Sequence, residues 1–170
     1  MYTASKTKTI AITDAMLATK GQRFANYLVD LFIHNIINVI PLIIGWVLYE
    51  FFGNADLSVW LDELNTLVDF LISYIIIVIY FMIMESLTGR SIGKYVTNTK
   101  VLMADGTEPE PYAIFIRSVS RLIPFEAFSF LGDVPKGWHD TLSKTVVVDI
   151  KKYNQEYEMA NSINEIGQEL

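Results

Sequence analysis

A chain of 170 residues with 52% hydrophobic and 19% charged residues is too apolar for an ordinary soluble domain of that size. Its net charge of -6, with acids gathered in residues 50–66 and in the C-terminal tail, argues against a nucleic-acid partner. The absence of cysteine excludes a disulfide framework and a thiolate metal site.

Residues 1–22 form an N-terminal segment with no apolar signal region, and no small-residue cleavage site follows the first hydrophobic stretch, which is therefore expected to remain as an anchor. Two windows hold the apolar excess: residues 28–48 (LVDLFIHNIINVIPLIIGWVL) and 67–87 (LVDFLISYIIIVIYFMIMESL). Each has about the ~20 residues that cross a ~30 Å hydrocarbon core as a helix. So short a chain could not wrap two helices that are apolar nearly all round. The expected architecture is a membrane α-helical hairpin, with spans near residues 24–50 and 67–87.

Charge orients the hairpin. Lys6, Lys8, Lys20 and Arg23 precede the first span, and Arg90, Lys94 and Lys100 follow the second. The connecting residues 50–66 contain no Lys or Arg but carry Glu50, Asp56, Asp62 and Glu63. The positive-inside rule then puts both termini in the cytoplasm and the loop outside, as expected of a multi-pass protein of the cytoplasmic membrane. Trp46, Tyr49 and Trp60 suit the outer interface.

Within the first span, Arg23, Asn26, Asp30, His34 and Asn38 recur at spacings of three and four, forming one polar stripe. With a rise of ~1.5 Å per residue, Asp30 lies about 10 Å deeper than Arg23. Tyr80 and Glu85 reach the same level from the second span. An ionisable residue at membrane depth needs protein or water around it. Two readings follow: an ion or proton path through Asp30 and His34, or internal glue in which Asp30 pairs with Arg23, Arg117 or Arg121.

Residues 112–131 (YAIFIRSVSRLIPFEAFSFL) are apolar enough to suggest a third span, but Arg117, Arg121 and Glu126 lie inside them and Pro124 interrupts them. A central charge costs roughly 2.5–3.5 kcal/mol on insertion scales, so the segment is expected to be an amphipathic or re-entrant helix at the inner interface. Residues 96–104 and 145–150 have strand character, and 100–103 are expected to pair antiparallel with 145–148 in a small cytoplasmic module. A membrane domain of residues 23–151 would then precede a loosely ordered polar tail at 152–170.

Metalloprotease, hydrolase, phosphate-loop and EF-hand motifs are absent. His139 and Asp140 are sequence neighbours with only His34 as a second histidine, so no metal site, cofactor or catalytic centre is expected.

Three blocks carry a resemblance: GQRFANYLVDLFI at 21–33, GRSIGKYVTNTKVLMADG at 89–106 and GWHDTLSKTVVV at 137–148. Together they resemble the RDD family of small bacterial membrane proteins, named for one arginine and two aspartates. The resemblance covers residues 22–151 and implies that Arg23, Asp30 and Asp140 are those three, forming with Arg117 or Arg121 a charge cluster at the inner interface. Many members have a long apolar stretch between the Arg-rich helix and the His-Asp block. Here residues 122–135 are short and include Pro124, Glu126 and Asp133. Function is expected to be that of a non-catalytic scaffold or assembly subunit in contact with lipid and other membrane proteins or copies of itself. The alternative is an oligomeric ion or small-solute transporter using the polar stripe.

Overall fold

The computed structural model describes residues 10–132 and 135–166; Lys6, Lys8, Asp133 and the last four residues of the expected tail lie outside them. Helix α1, Lys20–Phe52, starts at a capping box. There the Thr19 hydroxyl accepts from Gln22 N (3.2 Å), and Thr19 N donates to the Gln22 side chain (2.9 Å). It continues through Pro41 and stops at Gly53, whose positive φ closes the last turn. Helix α2, Asp56–Glu63, folds back on α1, and helix α3, Thr66–Thr88, begins where Asn65 accepts from Val68 N (2.9 Å). Asp30 meets Tyr80 while His34 meets Ser73, so α1 and α3 are antiparallel.

The most apolar window of each long helix is only 6% buried. Phe32, Leu42, Ile43, Ile75 and Ile83 all point outward. Such a surface is the reverse of a soluble core and suits hydrocarbon as the surrounding medium.

The rest of the chain gathers at the end of the hairpin where α1 begins and α3 finishes. Helix α4, Ile92–Val96, leads into strand β1, Thr99–Met103, then helix α5, Pro111–Ser120, and a 3-10 segment, Glu126–Leu131. Helix α6, Trp138–Ser143, precedes strand β2, Thr145–Asp149, and helix α7, Ile150–Ile166. The two strands pair antiparallel in the expected register, Lys100 opposite Val148 and Met103 opposite Thr145. Their outer edges are not left bare: Ala18 N donates to Val147 O and Val101 N to Gly89 O, both at 2.9 Å. Ala18, Val101, Ile114 and Val147 form the small apolar core beneath the sheet.

Two expected elements differ. The single helix expected over 112–131 is broken, because Pro124 lacks the N–H a continuing helix needs and disfavours helical geometry at Ile123. Tight turns therefore follow Ser120, with Leu122 N on Val119 O and Ile123 N on Ser120 O, and Phe125 at φ 64 reverses the chain. The tail expected to be loose is helical through Ile166. Asp149 starts it by accepting from Lys151 N (2.9 Å) and Lys152 N (3.4 Å), and Tyr153 stacks on Tyr157 one turn later. Gln22 also donates to Asp149 (2.7 Å), which ties the starts of α1 and α7 together.

Helix α4 packs tightly against α1. A Cβ added to Gly93 would stand 2.4 Å from the Asn26 carbonyl oxygen and 2.9 Å from Asn26 Cα, neither of which can step aside. Gly93→Ala is expected to lower stability by at least the ~1–3 kcal/mol typical of overpacking. Gly21→Ala, whose added carbon meets only a Thr19 oxygen at 3.9 Å, is the neutral control. Thermal unfolding of the two variants in mild detergent, followed by helical circular dichroism, checks the difference; equal melting points would refute it.

Candidate functional site

Four basic side chains converge where the spans meet the strand module. Arg23 comes from the first turn of α1, Lys94 from α4, Arg117 from α5 and Arg121 from the residue that ends α5. Two carboxylates face them. Glu85 of α3 accepts from Lys94 Nζ (2.7 Å), Arg117 Nε (2.9 Å) and Arg121 Nη2 (3.2 Å). Asp140 of α6 accepts from Arg23, from Arg117 and from Gly137 N (2.8 Å). Arg117, Glu85 and Asp140 are all 0% exposed, and Arg117 also donates to the Thr145 hydroxyl (2.9 Å).

Charge pairing fixes the protonation of this group. Burial alone would push Arg117 down, but Asp140 and Glu85 outweigh it and hold the guanidinium above its ordinary value. Burial opposes ionisation of Asp140 too, yet its cationic neighbours hold it well below the usual carboxylate range. Burial draws Lys94 down while Glu85 holds it up, and the net displacement is downward.

His139 lies against the same network. His139 Nε2 stands 3.3 Å from both Arg23 Nη2 and Asp140 Oδ1, while Nδ1 lies against the Glu126 carboxylate; that closer acceptor takes the proton of the neutral ring from Nδ1 and leaves Nε2 to accept from Arg23. Gly137 makes this contact possible, since a Cβ there would lie 2.9 Å from the His139 ring and 3.0 Å from the Glu126 oxygen. Burial, followed by Arg117 and Arg121, draws His139 to about 4 against the pull of Asp140 and Glu126, so it is neutral at pH 7.

Asp30 lies outside the arginine cluster. Its carboxylate accepts from Tyr80 OH (3.0 Å), Ser91 Oγ (2.6 Å) and Gly93 N (2.9 Å), at the N-terminus of α4. The pairing with Arg23, Arg117 or Arg121 expected of an internal-glue aspartate is thus replaced by a helix cap; one backbone N–H and two hydroxyls serve the carboxylate instead. Asn26, one turn earlier, sits between the Thr97 and Thr99 hydroxyls; turned so that Nδ2 faces the Gly93 carbonyl (2.9 Å), it donates there as well. His34 reaches Ser73 Oγ (3.1 Å) and Ser73 O (3.2 Å) across the hairpin, while Asn38 turns back onto the His34 carbonyl (2.9 Å). Of the sequence-derived residues, Arg23, Glu85, Arg117, Arg121, His139 and Asp140 are in one cluster, Asp30 and Tyr80 in a second beside it, and His34 and Asn38 farther along α1. Lys94, Ser91 and Glu126 complete the clusters without having been singled out, although the first two lie in the second of the three resemblance blocks.

A model of the RDD family matches residues 17–144, which includes both clusters. The chain belongs to the RDD family. No curated protein and no solved structure matches it. As an RDD membrane protein, it brings Arg23 and Asp140 into direct contact and uses Asp30 to anchor α4.

His139 generates a pH prediction. A histidine drawn from 6.5 to about 4 on folding binds fewer protons than the unfolded chain between those values, so its contribution is present above pH 6.5 and lost as pH falls toward 4. The expected loss is on the order of 3 kcal/mol. Melting points of the detergent-solubilised protein from pH 7.5 to 4 should fall over that window. His139→Gln should flatten the fall, and an unchanged slope in the variant would refute the assignment.

Proposed function

We propose that this RDD protein is a non-catalytic scaffold or assembly subunit of the bacterial inner membrane, with both termini in the cytoplasm and an interaction surface for other membrane proteins or for its own copies. The observation that supports this reading is the use of the polar stripe: Arg23 is bonded to α6, Asn26 and Asp30 to the segment around α4, and His34 to α3. Those are the bonds of a framework that holds a small strand module and the helix α7 in fixed positions beneath the spans. The cationic end carries Lys20, Arg23, Arg90 and Lys94 and the opposite loop carries Asp56, Asp62 and Glu63, consistent with that end being inside.

One observation favours the transport alternative: Asp30 and His34 also line a cavity between α1 and α3. Asp30→Asn separates the two. On the scaffold reading, loss of the charged cap of α4 costs about 1–3 kcal/mol, lowers abundance and weakens recovery of companion chains in a mild-detergent pull-down. A variant that accumulates and assembles like the wild type but stops a cation flux in reconstituted vesicles would sink the scaffold reading.

Orientation has its own test, because the chain has no native cysteine. Single cysteines at Asp56 and Asp62 should react with a membrane-impermeant maleimide in whole cells, whereas one at Lys144 should react only after permeabilisation. The opposite pattern overturns the topology.

A further inference from the structure

The two spans do not close on one another. They are bridged by the Asp30–Tyr80 and His34–Ser73 contacts, and around those contacts lies a cavity of about 280 Å³. This is far beyond the ~10–15 Å³ that one structural water needs. It approaches the lower end of the ~300–1,000 Å³ range of ligand pockets.

Tyr27, Leu31, Ile77 and Phe81 form apolar walls, Asp30, His34 and Tyr74 add polar groups along the spans, and Arg117 and Arg121 stand at the module end. Leu31 and Leu122, 41% and 40% exposed, lie at the rim, so the cavity is open toward the surroundings of the spans.

Hydrogen bonding at the module end is incomplete. Among the described residues, Arg117 Nη2 and Arg121 Nε are buried without a hydrogen-bond partner. Among the described residues Arg121 has a single ion-pair contact, the 3.2 Å bond to Glu85 Oε1, an oxygen that Lys94 already holds at 2.7 Å. Counting Asp30 and Glu126, the wider pocket has four acids for its four bases. Asp30 is engaged at α4 and Glu126 by His139, however, so four basic groups share two carboxylates at the ion-pair level. Arg121 also lies 4.0 Å from the centre of the Phe81 ring, a contact that holds the guanidinium at the boundary between polar floor and apolar wall.

From this arrangement we propose that the cavity between α1 and α3 binds an anionic phospholipid of the inner leaflet, its phosphate on Arg121 and Arg117 and one acyl chain along Tyr27, Leu31, Ile77 and Phe81. The guanidinium groups lie at the basic end of the hairpin, where a leaflet headgroup sits, and the apolar walls extend from them along the spans. A gap between spans at membrane depth has to be filled, and a lipid chain fills it with no unsatisfied polar group. The phosphate supplies acceptors that a guanidinium with spare donors matches in geometry and charge. This inference rests on the membrane placement of the hairpin and is independent of the scaffold reading.

The test is native mass spectrometry of the full chain in uncharged detergent, titrated in parallel with dioleoylphosphatidylglycerol, dioleoylphosphatidylcholine and inorganic phosphate. One phosphatidylglycerol should stay bound under activation that strips phosphatidylcholine. Arg121→Gln should weaken its retention by about tenfold, the loss of one hydrogen bond to a charged group, while Lys151→Gln leaves it unchanged. Leu31→Trp fills the gap from its wall with every charge in place, so it should produce the same loss even where Arg121→Gln fails to fold. Equal retention of the two lipids, retention unaffected by Leu31→Trp, or a lipid-free dimer as the species that protects the cavity would each overturn the proposal. Binding of inorganic phosphate with no preference for phosphatidylglycerol would identify a free-anion site and overturn the lipid as occupant.

Discussion

A single guanidinium joins most of the structure. Arg117 reaches Glu85 on α3 with Nε and Asp140 on α6 with Nη1, and the same Nη1 donates to Thr145 on β2. Each carboxylate then draws in further cations, Lys94 and Arg121 on one side and Arg23 on the other, so both span ends, the short helices α4 and α6 and the sheet are all attached through it. The net gain over apolar packing is small for such a buried group, because desolvating each ion is costly. Removal of one member is another matter: the remaining charge is left buried and uncompensated, at about 3–5 kcal/mol. The ion pair Lys100–Glu108 is the contrast, since its glutamate is 69% exposed and pairs of that kind contribute about 0–1 kcal/mol.

The polar half of α1 is explained in the same terms. Its side chains face the chain's own module, which presents a helix N-terminus to Asp30, two hydroxyls to Asn26 and a carboxylate to Arg23. The outer half of the hairpin has no such module beside it and is correspondingly apolar, with Leu42, Ile43 and Trp46 more than half exposed. Sequence polarity along the helix therefore follows what lies against it.

Features set by periodicity and local chemistry were legible in the sequence. The spans followed from two long apolar windows, and the strand register from two short β-branched runs that had only each other to pair with. The arginine cluster was legible in part: the stripe spacing pointed to Arg23, and the family resemblance pointed to Asp140. Which carboxylate meets which cation was not, because it depends on how α4 turns beneath α1, and that turn depends on Gly93 lacking a side chain. The partners of Asp30, a backbone N–H and two hydroxyls, accordingly differ from the arginine that the internal-glue reading expects. Helix α7 was hidden by its polar composition, since what starts it is the Asp149 side chain at the end of a strand.

The long sequence separation of the central contacts bears on how the protein is made. Arg23 and Asp140 are 117 residues apart, and Asp30 is 63 residues from Gly93. At the ~5–20 residues per second of translation, the first span emerges with its arginine and aspartate roughly 6–23 s and 3–13 s before their partners exist. During that interval Arg23 can extend toward the interface, but Asp30, a short side chain about 10 Å deeper, cannot. Biogenesis therefore includes a period in which the first span is an unfinished hydrophobic segment whose polar face waits for α4 to be synthesised.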